Sequence, residues 1–144
     1  MNLENVDTQH DYQALVNHIY QVDDFDFVGI ALYANDQSTI KWYFVAGNQN
    51  EQFRKIVLRS GIGIAGLVVR TGKPFWKNGL QNYEYTDKMY TPIARVESLQ
   101  NAAAVPIYPS AVRLVGGVLL AGYRSKQPVS NETTSRLSQY LDTF

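Results

Sequence analysis

Gly61-Ile62-Gly63-Ile64-Ala65-Gly66-Leu67-Val68-Val69-Arg70-Thr71-Gly72-Lys73-Pro74 is the stretch on which the fold turns. It reads as a short helix with a glycine-rich entry. Gly72 suits the residue just past a helix end, and Pro74 stops continuation. Gly61, Gly63 and Gly66 also spell G-x-G-x-x-G, with Glu84 downstream. That pattern binds a dinucleotide only inside a strand–helix–strand unit whose second strand is parallel to the first. Here the helix ends at Gly72, only Phe75-Trp76 follows, and a polar loop runs from Asn78 to Lys88. The dinucleotide reading fails, but its physics survives. Glycines at a helix entrance let backbone come close to a ligand, and the first N–H groups have no partner inside the helix. They sit at the positive end of the helix dipole, where anions are favoured.

A second entrance lies downstream at Thr91-Pro92-Ile93-Ala94-Arg95-Val96-Glu97-Ser98-Leu99-Gln100. Thr91 can cap, and Pro92 suits the first helical position, where no N–H is needed. Arg95 follows Ala94 and reads either as a pocket residue that would favour a carboxylate or a more highly charged ligand or, in preference, as an exposed helix residue or an ion-pair partner of Glu97 or Asp87. The loop from Asn78 to Tyr90, with Tyr83 and Tyr85 in it, is the candidate for a mobile gate.

Around these pieces lie strands. Phe25 to Tyr33 and Thr39 to Ala46 are rich in aromatic and β-branched residues and flank the turn Asn35-Asp36-Gln37-Ser38, which predicts a hairpin. Phe53 to Leu58 alternates weakly and reads as a third strand. Ala102 to Tyr108 and Val112 to Tyr123 predict a second hairpin across Pro109-Ser110. Helices close both ends. Tyr12, Leu15, Val16, Ile19 and Tyr20 recur at helical spacing behind Asp7 or Thr8 as cap. Leu137, Tyr140, Leu141 and Phe144 do so behind Ser130. Antiparallel hairpins separated by helical pieces indicate an α+β fold over one domain, residues 1–144.

Composition excludes several functions. The chain has 144 residues, 45% hydrophobic, with 13 basic and 13 acidic side chains. No positive excess drives binding to nucleic acid or to an anionic membrane. Cysteine is absent, so thiol nucleophiles, disulfides and cysteine-ligated metals are impossible. Two histidines, His10 and His18, offer little for acid–base or metal chemistry, so neither catalysis, a metal nor a cofactor is expected. Asp23, Asp24 and Asp26 read as a solvated acidic cluster. The polar N-terminus lacks the apolar core of a signal peptide, and the longest apolar run, Leu114 to Tyr123, is too short to span a membrane. A cytoplasmic protein is expected.

The segment from Gly61 to Trp76 resembles the GAF-domain pattern G-x-G-I-A-G-x-V-x-x-T-G-K-P. Ser98 to Ile107 is similar to the GAF S-x-L-x-V-P-L strand, and Val115-Gly116-Gly117-Val118-Leu119 to its partner strand. The resemblance covers nearly the whole chain. It implies a central antiparallel sheet with the terminal helices on one face and the ligand-pocket helices on the other.

Among GAF proteins, the chain resembles the stand-alone bacterial nitrate receptors that control an oxygen-sensing histidine kinase. That resemblance implies nitrate held between two helix entrances, largely by backbone N–H groups. The matching residues are Gly63, Ile64 and Ala65 at one entrance and Pro92, Ile93 and Ala94 at the other, with Trp42 as a wall. It also implies a sensor histidine kinase as partner and leaves room for a homodimer through the terminal helices. A carboxylate or amino-acid ligand, or a dimerisation module that binds nothing, remain the alternatives.

Overall fold

The computed structural model describes residues 3–36, 38–83, 90–108 and 115–144, with side chains from Asp11 onward. In chain order the elements are α1 (Leu3–Val22), β1 (Phe27–Tyr33), β2 (Ile40–Ala46), α2 (Gly63–Thr71), β3 (Phe75–Asn78), α3 (Pro92–Glu97), β4 (Asn101–Ile107), β5 (Gly117–Tyr123) and α4 (Asn131–Asp142). Short 3₁₀ turns occupy Gln52–Lys55 and Leu80–Asn82. The strands form one sheet in the order β2-β1-β5-β4-β3, antiparallel throughout. β3 therefore pairs antiparallel with β4 and is not the parallel strand a dinucleotide fold needs.

Each strand alternates between two cores, as the pleat dictates. On one face Val28, Ile30, Ala103, Val105, Leu119 and Ala121 meet Tyr12, Leu15, Val16 and Ile19 of α1 and Leu137 of α4. On the other, Phe27, Ala31, Ala102, Ala104, Val118 and Leu120 meet Ile64, Ala65 and Val68 of α2 and Ile93 and Ala94 of α3. The terminal helices thus share one face and the pocket helices the other. Ala102, Ala103 and Ala104 have the small side chains a strand needs when α2 and α4 flank it on opposite faces.

The predicted hairpin of β1 and β2 forms, with a difference inside it. Ile30 pairs with Phe44 but Ala31 pairs with Trp42, so Tyr43 is an extra residue in β2. This bulge reverses the alternation. Trp42 faces the pocket helices while Phe44, two residues on, packs on the terminal-helix side.

Several expectations are corrected. α1 already begins at Leu3, so Asp7 and Thr8 lie inside it rather than at its start. Acidic residues in the early turns favour this extension through the helix dipole. Tyr20 is 41% exposed, at the margin of the apolar stripe, where its ring covers Gly47. Phe144 lies beyond α4 and is exposed, stacking on Tyr12 with centroids 5.9 Å apart. Phe53 to Leu58 is no strand. Phe53 and Ile56 are both buried, three residues apart, which is the period of the 3₁₀ turn that forms there. Only Leu58 bridges to Ile40. β5 starts at Gly117 rather than Val112, and the turn at Pro109-Ser110 lies outside the described residues. Ser130 caps α4 as expected, its hydroxyl accepting from Glu132 N–H at 3.2 Å.

Candidate functional site

The glycine-rich entry folds as a turn that brings the Gly61 N–H to the Gly66 carbonyl at 2.8 Å. A Cβ on Gly66 would lie 2.7 Å from the Arg59 carbonyl, so only glycine fits there. Gly63 opens α2 at φ +69°, and a Cβ on it would stand 2.9 Å from the Tyr90 carbonyl. The tip of α2 therefore rests directly on the segment that starts α3. Gly72 ends α2 in the left-handed conformation, as its position in the sequence predicted.

Thr91 joins the two entrances. It is the residue before α3, yet its hydroxyl caps no N–H of that helix. It instead accepts the Ile64 N–H of α2 at 3.2 Å. The Thr91 carbonyl takes the N–H groups of Ala94 at 3.0 Å and Arg95 at 3.2 Å. Two of the expected donors, Ile64 and Ala94, are thus already engaged. Pro92 brings no N–H. Ile93 carries the first amide of α3, and the amide of Ala65 has no acceptor among the described residues.

The surroundings are apolar and closed. Ile64, Ala65, Ile93, Ala94 and Trp42 are each at most 2% exposed and belong to one cluster. Trp42 stands edge-on to Phe27 at 6.5 Å. Its indole Nε1 is buried and has no hydrogen-bond partner among the described residues. Leaving such a donor unpaired costs about 1–3 kcal/mol, and native interiors rarely tolerate it without reason.

Among the described residues, charged side chains stay outside this cluster. Arg95 is exposed, with its guanidinium over the Tyr90 ring and 3.5 Å from the Tyr83 carbonyl. Glu97, its expected partner, is fully buried at the far end of α3 and pairs with Arg124 at 2.6 Å. Arg124 also donates to the carbonyls of Glu97, Asp26 and Gly47. Asp87 lies outside the described residues.

The expected gate divides. Its first part is fixed: Gly79 N–H donates to Asn101, and the Gln81 amide donates to the Ala94 and Leu99 carbonyls. Residues 84–89, Tyr85 and Glu84 among them, lie outside the described residues. Trp76 belongs to neither gate nor pocket, since its indole donates to Asn131 at the start of α4.

The acidic cluster is structural. Tyr123 O–H donates to Asp24 at 2.6 Å, Tyr140 O–H to Asp23 at 3.1 Å, and Arg124 N–H to Asp26 at 2.7 Å. The Tyr123 hydroxyl, seconded by Gln127, holds the Asp24 carboxyl below the ordinary range. Burial, then the hydrogen bond to Asp24, pushes the Tyr123 phenol up. Among the described residues no three His, Asp or Glu side chains gather into a metal site. No helix among them is long and apolar enough to cross a membrane.

Two features escaped the sequence. The bridge from Thr91 to α2 had no local signal, because a threonine before proline reads as the cap of its own helix. The Glu97–Arg124 pair did have one: a glutamate between Val96 and Leu99 sits where apolar neighbours predict burial.

Comparison with solved structures gives the site a context. The chain is similar to the Staphylococcus aureus NreA protein mutated in its nitrate binding site, at 36% identity over 88% of this chain and 92% of that one, with a TM-score of 0.75. A hypothetical protein of S. aureus is 37% identical over 84% and 98% of the two chains, with a TM-score of 0.73. The S. aureus free methionine-R-sulfoxide reductase, captured with its substrate, shares the fold at 14% identity over 94% and 80%, with a TM-score of 0.73. No model of a known protein family matches the chain, and no curated protein does.

Proposed function

The chain belongs to the NreA family of GAF-like proteins, and from that premise we propose that it is a single-domain receptor for a small anion, nitrate above all, that regulates a sensor histidine kinase of a two-component system. The observation that carries this reading is the indole N–H of Trp42, buried in the cluster that holds the tips of α2 and α3 and without a partner among the described residues. A bound anion supplies the missing acceptor.

Nitrate suits the surroundings. It is a weakly hydrated monoanion that needs donors in a plane and neither acid nor base. The donors proposed are the Trp42 indole and the amides of Ala65, Ile93 and Gly63, with Ile64, Pro92 and Ala94 as walls. Ile64 would add its amide only by exchanging it from Thr91. Each such bond to a charged acceptor contributes about 1.5–3 kcal/mol. The positive end of α2 adds about 0.3–2 kcal/mol. After binding costs, affinity in the range of about 1–50 µM follows. Phosphate or sulfate would lose more hydration than this apolar cluster returns without a paired cation. The reading is of binding without turnover in the cytoplasm: among the described residues the cluster offers no nucleophile and no general base.

Calorimetric titration with nitrate, chloride, phosphate and acetate tests the proposal. Heat with nitrate at micromolar affinity, with a melting temperature raised by millimolar nitrate, supports it. Heat only with acetate redirects it to a carboxylate ligand. Silence with every anion contradicts it.

A further inference from the structure

The neutral net charge conceals a strong segregation. Residues 52–77 carry Arg54, Lys55, Arg59, Arg70, Lys73 and Lys77 and no acidic residue, while residues 1–40 carry seven acidic residues and no basic one. The basic stretch surrounds the glycine-rich turn on the pocket side of the sheet. Between Lys55 and Arg59 exposure alternates, with Lys55, Val57 and Arg59 outward and Ile56 and Leu58 buried. Beside this row stand Ile62, 49% exposed, and Arg70, whose guanidinium lies within 3.0 Å of a Cβ placed on Gly61. Val57 is 56% exposed. Arg54 is neutralised by Glu51 at 2.9 Å, but Lys55, Arg59 and Arg70 have no acidic partner among the described residues.

The backbone of this row is open as well. Leu58 exchanges both its hydrogen bonds with Ile40 of β2. In an extended segment the neighbouring residue then points its N–H and C=O the other way. Those of Val57 have no partner among the described residues. One residue of the row's segment, Leu58, is bridged to the edge strand β2, and the exposed side chains alternate about it from Lys55 at the end of the 3₁₀ turn through Val57 to Arg59.

We propose that the row of Lys55, Val57 and Arg59, with Ile62 and Arg70, docks an extended acidic segment of a partner protein. The segment adds along the edge at Val57, sets carboxylates against Lys55, Arg59 and Arg70, and rests aliphatic side chains on Val57 and Ile62. The charge complementarity selects an acidic partner, and the alternation selects an extended one. This surface stands apart from the anion reading, since none of its residues lines the Trp42 cluster. Arg70 nevertheless rides on α2, the helix whose tip that reading uses.

The test is an NMR titration of amide shifts with a synthetic peptide alternating Glu and Val, beside its Gln counterpart. The proposal expects shifts centred on Val57, Arg59 and Ile62 and binding at least about tenfold weaker for the Gln peptide. Arg59→Glu and Arg70→Glu each weaken the Glu peptide about tenfold, and Lys126→Glu, exposed elsewhere, changes nothing. Should Arg70→Glu fail to fold, Lys55→Glu serves in its place. Equal binding of the two peptides, or indifference to the reversals, overturns the proposal. So does preferential binding of duplex DNA or phosphatidylglycerol vesicles, which makes the surface a phosphate reader. Salt-sensitive self-association abolished by Arg59→Glu overturns it in favour of a second copy. None of these outcomes depends on whether nitrate binds.

Discussion

The Ile64 amide donates to the Thr91 hydroxyl at 3.2 Å, and this bond ties the tip of one pocket helix to the start of the other. Both groups are buried. Thr91→Val keeps the shape but leaves the Ile64 N–H without an acceptor, at a cost of about 1–3 kcal/mol. Chemical denaturation of the variant shows that loss, and Thr91→Ser, which keeps the hydroxyl, does not. Equal stability of Thr91→Val and wild type contradicts the bridging role.

The Glu97–Arg124 pair predicts a non-additive result. Glu97 is wholly buried and Arg124 is its charge partner. Arg124→Met strands a buried carboxylate and costs about 3–5 kcal/mol. The double variant Arg124→Met with Glu97→Met removes the stranded charge and recovers the part of the loss that it caused, while the bonds from Arg124 to the Glu97, Asp26 and Gly47 carbonyls stay lost. Urea unfolding of the single and double variants decides it; simple additivity refutes the account.

The Asp24–Tyr123 bond sets a pH dependence. The Asp24 carboxyl is held below its ordinary value of 3.8, so its contribution to stability is present above that value and fades as pH falls through the depressed one. Tyr123→Phe removes the chief cause. The variant is less stable than wild type at neutral pH, and the gap narrows as pH falls below 3.8 and the Asp24 carboxyl becomes protonated in both proteins. A gap that is constant or widens in acid means that another group is responsible. Melting curves across this range read the difference.

Ala65 is the third residue of α2, where proline is still tolerated. Ala65→Pro removes one of the proposed anion donors and leaves the helix. Nitrate affinity falls about tenfold or more, while far-ultraviolet circular dichroism is unchanged. Undiminished affinity moves the site elsewhere.

Much of this architecture was legible in the chain because its signals are local. Gly72, Pro92 and Ser130 each mark a helix end through their own backbone chemistry, and the turn at Asn35 to Ser38 marks a hairpin. The errors arose where tertiary packing overrides local pattern. The spacing of Phe53 and Ile56 suited a 3₁₀ turn as well as a strand, and only Leu58 of this segment bridges to β2. At the site, the helix tips could be found from glycine and proline, but their occupancy could not. That Thr91 takes the Ile64 amide, and that the bulge at Tyr43 turns Trp42 toward the tips, depends on contacts between segments distant in sequence.

The central claim is that the unpaired indole N–H of Trp42 serves an anion, and Trp42→Phe tests it most directly. Phenylalanine keeps an aromatic wall and deletes only the donor and the second ring. Calorimetric titration with nitrate should show affinity reduced about 10- to 100-fold against wild type in a variant that still folds, the loss of one hydrogen bond to a charged ligand. Nitrate affinity equal to that of wild type in the folded variant would contradict the account.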